Sequence, residues 1–201
     1  MDKKIILFDI DDTLIEKSKT KKNVVRFLLN YSNKTEEQIE IMMEDFLDKS
    51  DNSKDFMIGA FIQSVMGDEN FKKFSINDPK IYEGILFEDT LPILEKFKEK
   101  NRTMGSFTQG YVDFQKAKIR LTGIENFLDK NLIYVSPDKL DPEFVKTLPN
   151  LAIVIDDKKK ILETLKQLRP DLELIWINRK DEEKMEGIKT IKNLRELENL
   201  I

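Results

Sequence analysis

Two carboxylates stand two residues apart in Asp9-Ile10-Asp11-Asp12-Thr13, directly after a short apolar run. At the carboxyl end of a strand, such a pair can converge on one metal ion or one reacting group. The same residues can instead make an acidic turn in which Asp12 or Thr13 caps a helix. A second acidic pair, Asp156-Asp157, closes the apolar run Ile153-Val154-Ile155. These two acids can ligate magnesium, cap the helix that follows, or divide the two tasks. Between the acidic pairs lies Ser106-Phe107-Thr108-Gln109-Gly110. There the Thr108 hydroxyl and the backbone N–H groups can donate to a phosphate, although a plain turn reads equally well. Last comes Lys139, in Pro137-Asp138-Lys139-Leu140-Asp141-Pro142. A lysine after a strand can neutralise a phosphate and keep a neighbouring carboxylate ionised. Lys116 and Lys118 compete for that role.

Composition narrows the chemistry. The chain has 201 residues with no cysteine and no histidine. Thiolate and imidazole nucleophiles, disulfides and histidine-ligated zinc are therefore excluded, and proton transfer falls to carboxylates, lysine or tyrosine. Oxygen-ligated hard cations remain possible. A net charge of -4 gives no global pull toward nucleic acid. The opening Met1-Asp2-Lys3-Lys4 lacks the apolar stretch of a signal peptide, and no apolar run is long enough to span a bilayer. A cytoplasmic protein, bound neither to membrane nor to nucleic acid, is expected.

The elements that must position these residues follow from periodicity. Apolar-rich runs at 5–8, 104–107, 132–135, 151–155 and 172–177 read as buried parallel strands. Helical patterns lie between them. One starts at Asp89-Thr90 and carries Leu91, Leu94 and Phe97; one is capped by Asp141 with Pro142 at its first position; one holds Ile161, Leu162, Leu165 and Leu168 and stops at Pro170. Strands alternating with helices predict an α/β fold with a Rossmann-like, doubly wound parallel sheet. Residues 16–86 break the alternation, and three amphipathic patterns there predict an all-helical insert. The first carries Val24, Phe27, Leu28 and Tyr31; the second Ile39, Met42, Met43, Phe46 and Leu47; the third Met57, Phe61, Ile62 and Val65. Thr35 and Gln38 are spaced as a capping box for the second.

The order strand-DIDDT, strand-SFTQG, lysine loop and strand-DD resembles the haloacid dehalogenase-like hydrolase superfamily over essentially the whole chain. Gln109 stands where that family usually has Asn, Leu140 replaces the proline of its K-P-D-P loop, and Asp156-Asp157 looks like the DD form of its last motif. The resemblance implies a core of residues 1–15 and 87–201 with a helical cap of residues 16–86, hinged near 15–17 and 84–87. It implies a magnesium-dependent phosphatase acting on a small phosphorylated metabolite. In that reading Asp9 attacks phosphorus and becomes an aspartyl phosphate. Asp11 gives its backbone carbonyl to magnesium, and its side chain protonates the leaving oxygen and then activates water. Thr108, Gln109 and Lys139 hold the phosphoryl group. Asp157 is the favoured direct metal ligand, with Asp156 assisting through water. A phosphomutase, a haloacid dehalogenase and a non-catalytic phosphate-binding regulator of the same fold are the alternatives. Trp176-Ile177-Asn178-Arg179 faintly resembles a stretch of some dehalogenases. The basic run Lys17, Lys19, Lys21, Lys22 and Arg26 can greet an anionic substrate or simply be a solvated helix start. Substrate identity and oligomeric state are left open.

Overall fold

Three residues buried on both sides form the centre of the molecule. In the computed structural model, which describes residues 4–49, 58–71 and 77–201, β1 (Ile6–Phe8) is wholly buried. It pairs in parallel with β2 (Met104–Gln109) on one side and β4 (Ile153–Asp156) on the other. β3 (Ile133–Ser136), β5 (Glu173–Ile177) and β6 (Lys189–Ile191) extend the sheet to the order β3-β2-β1-β4-β5-β6, with every pairing parallel. The chain thus reverses its winding at β1, and the carboxyl ends there form the crevice where ligands bind in such sheets.

The period of two along each strand separates two apolar layers. Ile6, Phe8, Ile153 and Ile155 face a layer that includes α4 (Thr90–Glu99) and α5 (Val112–Leu121). Leu7, Val154 and Trp176 face α6 (Pro142–Lys146) and α7 (Lys159–Leu168). Gly105 lets β2 sit close to its neighbours: a Cβ there would lie 2.4 Å from the Leu132 carbonyl oxygen and 2.9 Å from Leu7. The expected cap of α6 is present, with the Asp141 side chain accepting from the Phe144 N–H.

Between β1 and α4 lie three helices, α1 (Lys17–Leu29), α2 (Glu36–Lys49) and α3 (Ile58–Phe71), the last broken at Gly67. Their buried faces, among them Val24, Leu28, Ile39, Phe61 and Ile62, belong to the same apolar cluster as Phe8 and Ile10. The capping box of α2 forms as its spacing predicts: the Thr35 N–H donates to Gln38 Oε1 at 2.9 Å and the Gln38 N–H to Thr35 Oγ1 at 3.3 Å. Entry and exit of the insert pair with each other. The Glu16 N–H donates to the Ile85 carbonyl at 2.7 Å and the Phe87 N–H to the Leu14 carbonyl at 3.2 Å. The two segments expected to act as hinges are therefore cross-linked by backbone hydrogen bonds. Residues 1–3, Met57 and the side chain of Leu47, on which parts of the sequence reading fall, lie outside the described residues.

Three elements depart from the sequence reading. β2 runs two residues past 107, so Thr108 and Gln109 sit in the strand, opposite Val135 and Ser136 of β3, rather than in the turn after it. Helix α5 and strand β6 had no counterpart among the expected elements. No helix among the described residues is long and apolar enough to cross a membrane.

Candidate active site

Beyond Phe8 the chain leaves the sheet through a tight loop. The Asp9 N–H donates to the Ile155 carbonyl at 2.9 Å, and the N–H groups of Leu14 and Ile15 both donate to the Ile10 carbonyl at 3.0 Å. Asp12 takes up the strain with a φ of 60°, a left-handed conformation that Asp tolerates better than most residues. Its Oδ1 accepts the Lys17 N–H at 3.1 Å, so Asp12 satisfies the first N–H of the helix that follows, whose N-cap residue is Glu16. Asp9 and Asp11 are left pointing into the site, each 5% exposed.

Lys139 reaches Asp9 from the loop after β3. Its Nζ donates to Asp9 Oδ1 at 2.8 Å and to Asp156 Oδ2 at 2.5 Å, and the side chain is 1% exposed. The loop is held by Asp138, whose Oδ1 accepts the Leu140 N–H at 3.0 Å and whose carbonyl accepts the Ser136 hydroxyl at 2.8 Å. A proline at 140 has no N–H to give, so an Asx turn supplies here the rigidity that a ring supplies elsewhere. Burial works against the Lys139 charge, but Asp156 and Asp9 more than offset it and raise its pKa above the ordinary lysine value. Of the competing lysines, Lys116 is exposed, and Lys118 enters the site at a different carboxylate.

Asp156 and Asp157 divide their work. Asp156 Oδ1 accepts the Lys158 N–H at 2.8 Å while its other oxygen takes Lys139. The Asp157 backbone is fixed by Trp176, whose indole N–H donates to its carbonyl at 2.8 Å. Asp157 Oδ1 is buried and has no hydrogen-bond partner among the described residues. Asp9, Asp156 and Asp157 each offer an oxygen, and these lie within 4.8 Å of one another. Burial pushes the Asp9 carboxyl up to about 6, Lys139 pulling the other way, and pushes Asp157 up to about 8, with Asp9 and Asp156 adding to the rise. Two of the three carboxylates share Lys139, and Asp157 feels only the charge of the neighbouring Lys158, so negative charge is in excess in this half of the site. An all-oxygen donor set with an orphaned buried carboxylate oxygen fits a hard divalent cation such as magnesium. The side chain of Asp11 is not part of this group, and only its carbonyl remains as a ligand of the kind expected from that residue.

The carboxylate of Asp11 is held from the opposite side. Lys118 Nζ donates to both of its oxygens, at 2.6 and 2.7 Å, and Gln115 Nε2 donates to Oδ2 at 2.8 Å. Gln115 also donates to the Gln109 carbonyl at 2.8 Å. Gln115 was not singled out from the sequence. The available signal was two polar residues three apart among the apolar positions of 114–121, a spacing that puts both on one helix face. Thr108 is 1% exposed, and its hydroxyl has no partner among the described residues, as expected of a donor kept for a ligand. The Ser106 hydroxyl, two residues earlier on the same face of β2, is likewise unpartnered.

Two motifs stand apart from this cluster. Arg179 makes a bidentate ion pair with Asp89, 3.0 Å for each bond, and donates to the Thr13 carbonyl at 2.9 Å. It ties the loop after β1 to the start of α4. The basic run lies on α1, where Lys21 and Lys22 line a surface cavity with Glu40 and Glu44 of α2. A larger cavity of about 340 Å³ adjoins Asp157 and is lined also by Asp12, Glu16, Phe87 and Trp176.

No family model matches the sequence, and no curated protein matches it. Solved structures do. A protein described as the HAD-hydrolase YfnB from Bacillus subtilis, bound to magnesium, superposes with a TM-score of 0.66 at 15% identity, covering 100% of this chain and 99% of that one. A HAD phosphatase from Thermococcus onnurineus gives 0.64 at 19% identity over 98% and 97% of the two chains. A 2-haloacid dehalogenase from Pseudomonas syringae pv. Tomato DC3000 gives 0.63 at 19% identity over 99% and 98%. The chain has the α/β fold of the haloacid dehalogenase-like hydrolases, and proteins of differing chemistry share it.

Proposed function

We propose that this chain is a magnesium-dependent phosphatase that hydrolyses a small phosphorylated metabolite through an aspartyl phosphate on Asp9. What carries the reading is the Asp9, Asp156 and Asp157 group, with one carboxylate oxygen orphaned and positive charge in deficit. A phosphate dianion is repelled by three buried carboxylates and the half-buried Asp157, which only two buried lysines offset. Magnesium, held by Asp9, Asp157 and the Asp11 carbonyl with Asp156 assisting, would supply the missing charge and polarise the phosphoryl oxygens.

The protein's own groups then have distinct tasks. Lys139 orients the nucleophile, keeps it ionised and faces the transferring phosphoryl group. The free Thr108 hydroxyl, with Gln109 beside it, completes the phosphate cradle. In the first step an Asp9 oxygen bonds to phosphorus as the bond to the leaving oxygen breaks, and Asp11, protonated from solvent before the step, hands that oxygen its proton. In the second step Asp11 takes a proton from the water that attacks the aspartyl phosphate, which restores both carboxyls and releases phosphate. Halide leaves as a stable anion and needs no such acid, so a proton-handling carboxylate two residues after the nucleophile favours phosphate esters over haloacids. The insert acts as a cap that selects the substrate and keeps water out of the first step. The cavity beside Asp157 has room for the rest of a small metabolite. The protein is expected to work in the cytoplasm. The test is turnover of an aryl phosphate with magnesium and after EDTA. Phosphate release that EDTA abolishes and magnesium restores is expected. Release unaffected by EDTA, or halide release from a 2-haloacid without magnesium, would contradict the reading.

A further inference from the structure

Asp11 is gripped more tightly than a turn residue needs. Gln115 and Lys118 are 1% and 4% exposed, and between them they place three hydrogen bonds on its two oxygens. Burying a lysine is costly, and the cost is met only by near-ideal pairing. Lys118 meets it with both Asp11 oxygens and with the Phe114 ring, 4.9 Å from its ammonium. Tyr82 of the insert packs on that ring from 5.8 Å. The amide of Gln115 is itself fixed by the Gln109 carbonyl at the end of β2. Gly110 gives it room, since a Cβ there would stand 2.7 Å from Gln115 Nε2. Everything in this set fixes the direction of one carboxylate.

We propose that Gln115 and Lys118 are positioning residues for proton transfer at this site. They hold the Asp11 carboxyl group at a set angle to the leaving oxygen and to the attacking water. The inference rests on the phosphatase reading and deepens it. A purely structural brace between α5 and the loop after β1 would alter stability without regard to the leaving group. A brace that acts through Asp11 must matter most where protonation matters most, on alkyl esters, whose leaving oxygen is the stronger base.

The test measures kcat and KM at saturating magnesium on an alkyl and an aryl phosphate, for the wild type, Lys118→Met, Lys118→Arg, Gln115→Leu, Asp11→Asn and the Asp11→Asn/Lys118→Met pair. Lys118→Met should lower kcat about 10²-fold on the alkyl ester and about tenfold on the aryl ester, with KM little changed. Lys118→Arg should recover part of the loss. In the Asp11→Asn background, removing Lys118 should cost no more than about twofold, because its route of action is already gone. Gln115→Leu leaves the ion pair intact and carries the same alkyl-against-aryl comparison if Lys118→Met does not fold. Equal losses on both esters, a loss carried by KM, or a full loss persisting without Asp11 would overturn the inference while leaving the phosphatase reading in place. A wild type that turns over neither ester would overturn both.

Discussion

The two halves of the site are built on opposite electrostatic plans. On the α5 side one carboxylate, Asp11, meets one buried lysine and one amide, and both its oxygens are occupied. On the β4 side Asp9 and Asp156 share Lys139, Asp9 and Asp157 are pushed upward in pKa, and one Asp157 oxygen has no hydrogen-bond partner among the described residues. The first half is complete in the protein alone. The second is built around charge that the protein does not supply. Proton handling needs a fixed group, whereas binding a cation and a phosphate needs unmet charge, and in the proposed mechanism these demands fall on different halves of the site.

Substitutions on the two sides should therefore fail differently. Asp9→Asn removes the proposed nucleophile from the β4 half, and kcat should fall by about 10⁴- to 10⁶-fold. Folding should survive, since the amide keeps the shape and relieves repulsion; circular dichroism and activity on an aryl phosphate check both. Asp11→Asn strikes the complete half. It should cost about 10²- to 10⁴-fold, more on alkyl than on aryl esters, and should leave the phosphoenzyme long-lived, as acid-quench kinetics would reveal. A variant that hydrolyses both ester types as the wild type does would erase the functional contrast between the halves.

Effects on binding come next in size. Asp9 and Asp157, with pKa values near 6 and 8, hold protons in the folded chain that the unfolded chain releases near pH 4. The metal-free protein should then lose stability as pH rises from about 4 to about 8, because the folded state binds more protons than the unfolded one across that window. Magnesium replaces those protons, so the gain in Tm on adding it should be larger at pH 8 than at pH 5. Saturation at a hundred times Kd is worth about 2.7 kcal/mol, easily visible in a melting curve. A gain independent of pH would contradict a site formed by these carboxyls. Asp157→Asn gives the smallest and most selective effect. It should raise the Tm of the metal-free protein slightly and abolish the gain from magnesium, whereas Lys118→Met should lower the Tm and keep that gain.

The same contrast governs how much of the site was legible in the sequence. Asp9, Asp11, Thr108, Asp156 and Asp157 sit at or just past the ends of apolar-rich runs, where strand and candidate residue are read together. Lys139 was reachable through its Pro-flanked loop. The capping box of α2 was visible because its chemistry is local. Helix α5 escaped notice because charged and amide residues occupy positions that the fold buries: Gln115 and Lys118 look like surface residues until Asp11 is brought to them from 104 and 107 positions away. Strand β6 has three residues, too few for any period to register, and is a strand only because β5 offers an edge. The pairing of the segments that enter and leave the insert has no side-chain signature, being made by the backbone.

Covalent catalysis by Asp9 is tested most directly by intact-mass spectrometry of the Asp11→Asn variant, acid-quenched during turnover of an aryl phosphate with magnesium. The expected result is an adduct of one phosphoryl group, mapped by peptide fragmentation to Asp9 and absent when EDTA is present. Continued phosphate release with no adduct, or with an adduct on another residue, would contradict it.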